Sequence, residues 1–178
     1  GTLGMVHDIA WFNNTLFLGS NTGVFYFEGN ELRFVEGSQG HVWDLEVIED
    51  DLLCGHNTGT YKVNKDNFEL LSPVAGGYQI IKIPDQKSTY VQGTYNGLVK
   101  FQKLDNGAWD VKRIEGFGAP VKQLCFETPD MLWVAHPYKG FSRIHFESGT
   151  YDKLDEIQSF EHEGAPSEYN VQLYNIKN

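Results

Sequence analysis

Apolar positions along this chain come in short runs of strand length, separated by polar tips. Four times a run ends at a small residue, a polar tip follows, and a glycine opens the next run. The copies are Leu16 to Phe27 (LFLGSNTGVFYF), Leu52 to Val63 (LLCGHNTGTYKV), Thr89 to Phe101 (TYVQGTYNGLVKF) and Leu132 to Ile144 (LWVAHPYKGFSRI). The small residue is Gly19, Gly55, Gly93 or Ala135, and the glycine after the tip is Gly23, Gly59, Gly97 or Gly140. Successive second glycines therefore stand 36, 38 and 43 residues apart. A period in this range, built from strand-type runs, predicts a propeller or solenoid, because one unit cannot bury both faces of its own sheet.

Each copy is flanked by two more strand candidates. Upstream lie Val6 to Ala10, Val42 to Ile48, Tyr78 to Ile83 and Val121 to Phe126; downstream lie the more polar Leu32 to Val35, Phe68 to Leu71, Trp109 to Ile114 and Tyr151 to Ile157. Four strands per unit of about 40 residues match the blade of a β-propeller, and a sandwich would not repeat one glycine spacing at a fixed place. The predicted fold is all-β: a partial propeller domain over residues 1–178, with blades at roughly 1–37, 38–74, 75–117 and 118–160. The second glycine of each pair is expected to take a positive φ, and Ala135 in place of the first points to close packing there. Ser159 to Glu168 reads as a connector. Tyr169 to Ile176 reads as the first strand of a further blade, aligned through its valine with Val6, Val42 and Val121, so the chain is expected to be a fragment or to close with another chain.

A hydrophobic content of 40%, with 14% aromatics, is enough to fill the layers between such sheets. The net charge of −10 repels a phosphate backbone, which argues against nucleic acid as a partner. No apolar stretch approaches the length of a membrane helix and no charged-then-apolar leader opens the chain, so a soluble segment is expected. Cys54 and Cys125 are expected to act as small buried apolar residues rather than as a disulfide.

The strand-tip-strand signature resembles the two-component regulator propeller repeat, a valine-isoleucine strand followed by LWIGT, a tip, and GL before an aromatic. Leu132-Trp133-Val134-Ala135 with Gly140-Phe141 is a close copy, as is Gly93-Thr94 with Gly97-Leu98. Trp133 to Ile144 is similar to blades of Bacteroidetes regulators that carry a triple-tyrosine domain with a LuxR-type or hybrid histidine kinase output. Phe17 and Leu53 depart from the pattern, where the family has tryptophan. The resemblance implies a periplasmic propeller acting as the sensor of a signal-transduction or transcriptional regulator.

Specific chemistry is sparse. Gly40-His41-Val42-Trp43-Asp44 contains both GH and WD, but in WD repeats these dipeptides sit at opposite ends of a blade and recur. The six histidines, His7, His41, His56, His136, His145 and His162, lack zinc-ligand spacing, so neither a metal nor a cofactor is expected. No nucleophile elbow, phosphate loop, paired catalytic carboxylates or sialidase-type box occurs, and the chain is not expected to be an enzyme, a lyase or hydrolase being the remote alternative. Asp8 and Asp44 align on adjacent first strands and are expected to bind neighbouring backbone rather than to form an acidic pair. The tips mix stacking rings with neutral hydrogen-bonding groups, which suits an oligosaccharide, another small ligand or a peptide. Tyr95 and Tyr138 are the leading candidate contacts, with His56, His136 and Lys139 beside them. The competing expectation is an assembly module whose open blade edges pair into a homo-oligomer.

Overall fold

The computed structural model describes residues 1–147, 149–160 and 171–174. All regular structure among them is strand. The first sheet contains β1 (Val6–Phe12), β2 (Thr15–Ser20), β3 (Gly23–Glu28) and β4 (Glu31–Phe34), and the second β5 (Val42–Ile48), β6 (Asp51–His56), β7 (Gly59–Val63) and β8 (Phe68–Ser72). The third comprises β9 (Ile80–Lys82), β10 (Thr89–Thr94), β11 (Gly97–Lys103) and β12 (Trp109–Arg113), and the fourth β13 (Gln123–Thr128), β14 (Met131–Ala135), β15 (Phe141–Phe146) and β16 (Leu154–Phe160). Every sheet is an antiparallel meander in sequence order. These are the four propeller-type blades that the glycine period predicts.

The blades pack as two compact units, Gly1–Tyr78 and Gln79–Asn178, with two blades in each. Strand alternation puts every second side chain on one face, and that face makes each core. In the first unit Ala10, Phe17, Val24 and Val35 of blade 1 meet Val42, Leu45, Leu52, Cys54 and Val63 of blade 2. In the second, Ile83, Val91, Leu98 and Ile114 of blade 3 meet Val121, Leu124, Leu132, Val134, Ile144 and Phe146 of blade 4, with Leu154. Cys54 is buried, as expected, whereas Cys125 is half-exposed; both are free thiols.

The paired glycines serve two different ends. Gly19, Gly55 and Gly93 have no positive φ. Their missing Cβ leaves room for a neighbour, since a Cβ on Gly55 would lie 2.3 Å from the Gly77 carbonyl oxygen and one on Gly19 2.5 Å from Val42 Cγ1. The second glycines do need the left-handed region: φ is +101° at Gly97 and +56° at Gly140.

Several strand bounds differ from the expected ones, most at β9 and β16. β9 keeps three residues of the predicted Tyr78 to Ile83 because Gly76 and Gly77 both donate their N–H groups to the His56 carbonyl, at 3.2 and 3.1 Å, and Pro84 can give none to a ladder. β16 starts at Leu154, after Tyr151 has turned the chain at φ +48°. The predicted further strand, Tyr169 to Ile176, lies outside the described residues except for 171–174.

Candidate functional site

Successive blades within a unit are pinned by one repeated hydrogen bond. Asp8 on β1 faces Gly19 and accepts the Leu45 N–H of β5 through Oδ2 at 2.7 Å, while its Oδ1 takes the Ile9 N–H at 2.8 Å. The expected backbone role of Asp8 is thus observed. In the second unit Gln79, whose carbonyl holds the Gly93 N–H, accepts the Leu124 N–H through Oε1 at 2.8 Å. Gln123, opposite Ala135, accepts the Leu173 N–H at 2.9 Å. The acceptor always stands opposite the small residue of the tip signature, and the donor always follows the equivalent position one blade on. Leu173 is thereby matched with Leu45 and Leu124, so Val171 aligns with Trp43 and Lys122, one residue away from the expected match with Val42 and Val121.

A feature that the sequence reading passed over lies next to this acceptor. Both β1 and β5 are bulged, between Val6 and Asp8 and between Val42 and Asp44. Bulges re-aim the extra side chain, and here these are His7 and Trp43. His41 clusters with both, its centroid 4.4 Å from that of His7 and 3.7 Å from that of Trp43, while His7 and Trp43 stand 5.7 Å apart and Tyr78 adds a fourth ring 5.2 Å from Trp43. Burial, with the nearby His7, holds the His41 pKa below its ordinary value. The readable signal was the shared position of His7, Trp43 and Tyr78, each directly before Asp8, Asp44 or Gln79.

The predicted tip residues divide into structural and accessible ones. His56 is 1% exposed. Its ring packs edge-on against Tyr61 and Phe68, and a Cβ on Gly40 would lie 2.7 Å from Nε2. Nδ1 receives the Thr58 N–H at 3.3 Å, which requires that nitrogen to be unprotonated, and the buried Nε2 faces the Ser38 carbonyl without reaching hydrogen-bond geometry. Burial lowers its pKa, with the Ser38 carbonyl opposing. His56, expected as a ligand contact, is thus placed with its ring closing the tip from inside. Ser20 and Thr94 do the same for their tips, taking the N–H groups of Thr22 and Asn96 at 3.2 and 3.1 Å.

In the second unit His136 accepts the Tyr138 N–H through Nδ1 at 3.0 Å, and the two rings stand 6.3 Å apart. Tyr138 is 68% exposed, Lys139 is also exposed, and Tyr95 on the neighbouring tip is half-buried. His136, Tyr138 and Lys139 form one contiguous tip able to offer a stacking ring, an imidazole and an ammonium. The described residues contain no group of three or more ligating side chains placed to hold a metal.

No protein-family model and no curated protein matches this sequence. Solved structures do. The chain is similar to the extracellular domain of BT4673 from B. thetaiotaomicron, assigned to a hybrid two-component system: TM-score 0.62 and 18% identity over 92% of this chain and 23% of that one. Another structure of that domain, described as part of a one-component system, gives a TM-score of 0.58 at 18% identity over 93% and 23%. The computationally designed Ika4 protein matches with a TM-score of 0.57 at 15% identity, over 82% of this chain and 93% of its own. At these identities the likeness establishes the fold, and this chain spans about a quarter of the BT4673 domain.

Proposed function

We propose that this chain is a non-catalytic sensor segment of a bacterial signal-transduction protein, working outside the cytoplasmic membrane. The observation that carries the reading is the fold shared with an extracellular two-component-system domain over 92% of this chain. Its binding surface is the tip of β14 and β15, where Tyr138 presents an open ring between His136 and Lys139, with Tyr95 on the tip of β10 and β11. A neutral oligosaccharide suits such a surface, because a pyranose face stacks on tyrosine while its hydroxyls meet imidazole and ammonium.

A thermal-shift screen of oligosaccharides, with calorimetry on the hits, tests this proposal. Binding that Tyr138→Ala weakens at least tenfold, with the melting temperature unchanged, supports it. Saccharide turnover, or hits indifferent to Tyr138, His136, Lys139 and Tyr95 alike, would sink it.

A further inference from the structure

The end of each unit opposite the tip signature carries two facing turns, one between the first two strands of a blade and one between the last two strands of the next. In the first unit these are Asn13-Asn14 and Asn64–Asn67, and between them lies a cavity of about 380 Å³, the size of a small-molecule site. Its inner wall is Phe12 and Phe17, whose rings stand 6.5 Å apart and pack into the core of the unit. The rim is polar and held by its own backbone. Asn13 and Asn14 take φ of +46° and +58°, as a two-residue hairpin turn requires. Asn64 Oδ1 accepts the Asp66 N–H at 2.9 Å, and the Asn64 N–H donates to the Asn67 carbonyl at 3.0 Å. Lys65 rests its ammonium 5.5 Å from the centroid of the Tyr26 ring. The Asp66 carboxylate and the carboxamides of Asn13 and Asn67 make no hydrogen bond or ion pair with another described residue, so they stand open at the mouth.

The second unit fills the equivalent junction with a side chain of its own. Tyr151, in the turn between β15 and β16, packs on the core with its ring 5.2 Å from that of Phe146, and its hydroxyl bonds the Gln86 side chain in the turn between β9 and β10. A hydroxylated ring thus joins the two turns there, whereas neither turn of the first unit contains an aromatic residue. We propose that the first-unit cavity is a binding site for one ring of a small neutral saccharide, which takes the place that Tyr151 fills in the second unit. The apolar face of a pyranose lies against Phe12, and its hydroxyls meet Asp66, Lys65 and the carboxamides of Asn13 and Asn67. Lys65 and Asp66 cancel in charge, so the rim does not select an ion, and carboxamides both donate and accept, as sugar hydroxyls do. A free amino acid is also neutral overall, but its two charged groups leave the carboxamides unmatched. This site shares no residue with the tip of β14 and β15.

The test uses the full chain carrying Tyr138→Ala, which silences the tip proposed above. Its ¹⁵N-labelled form is titrated with glucose, galactose, mannose, N-acetylglucosamine and their disaccharides, each to roughly 10 mM, enough to detect a millimolar site. At least one sugar is expected to give saturable amide shifts centred on Asn13–Thr15 and Asn64–Asn67. Asp66→Ala, which removes a charged acceptor and keeps the turn, weakens that binding about tenfold or more with the melting temperature unchanged. Asn67→Trp, which brings a ring to the mouth as Tyr151 does in the second unit, abolishes it without lowering the melting temperature. No response of these two turns to any sugar overturns the inference, as do shifts that both variants leave intact. Glycine or phenylalanine binding there in preference to every sugar overturns it equally. Sugar binding confined to the Tyr138 tip of the unmodified chain sinks this site and leaves the sensor reading standing.

Discussion

Asp8 Oδ2 holds the Leu45 N–H at 2.7 Å, a hydrogen bond from a side chain of one blade to the main chain of the next. Leu45 is 3% exposed, so water cannot readily replace the carboxylate. Asp8→Ala is expected to cost about 1–3 kcal/mol through the orphaned N–H, and Asp8→Asn, which keeps an acceptor, appreciably less. Urea denaturation of the two variants checks the order.

The first glycines predict an asymmetric response to a single methyl. Gly55→Ala drives a Cβ to 2.3 Å from a carbonyl oxygen, and overpacking of this kind typically costs about 1–3 kcal/mol. Ala135→Gly, at the same position of blade 4, removes a methyl that already fits and is expected to cost less, about 1 kcal/mol or below. Equal losses in thermal melts would contradict the assigned role of these glycines.

His145 donates to two carboxylates on the outer part of blade 4: Nδ1 lies 2.6 Å from Asp155 and Nε2 3.2 Å from Asp130. The Asp155 hydrogen bond, then that of Asp130, holds its pKa above the ordinary 6.5. A raised folded-state pKa gives stabilisation that is complete below the unfolded value and fades as pH rises through the folded one. The melting-temperature difference between wild type and His145→Gln should therefore be larger at pH 5 than at pH 8.5.

His41 and His56 in the first unit respond with the opposite sign. Burial lowers both pKa values from 6.5, so the stability they contribute is present above that value and is lost as pH falls through their folded pKa values. Acidification is expected to lower the amide protection factors near β5 and β6, the intrinsic slowing of exchange at lower pH being divided out, while the contacts of His145 hold in the second unit. Imidazole titrations followed by NMR should show His41 and His56 below, and His145 above, the ordinary value.

Much of this architecture was legible residue by residue. The Gly19, Gly55 and Gly93 beat located the blades, and Ala135 disclosed that the first small residue is a packing device, because alanine cannot supply glycine's dihedral freedom. Asp8 was legible for its backbone role. His56 was not: its match with His136 placed it on a tip, but the sequence does not show that a ring two residues before Thr58 turns inward over Gly40 while its counterpart stays half-exposed. The ring cluster of His7, His41, Trp43 and Tyr78 was hidden for another reason. Two β-bulges shift the alternation by one residue, and a bulge leaves no mark in a pattern read at period two.

What the sequence determined by itself was local: strand length, alternation, turn chemistry and a repeat that forces sheets to cover one another, all set by interactions among near neighbours in the chain. The tertiary structure alone decided which equivalent residues are buried and which lie open, as the contrast between buried Leu45 and exposed Ile9 shows. Their flanking patterns are the same, and exposure depends on whether another blade stands opposite, a relation between segments that no single repeat encodes.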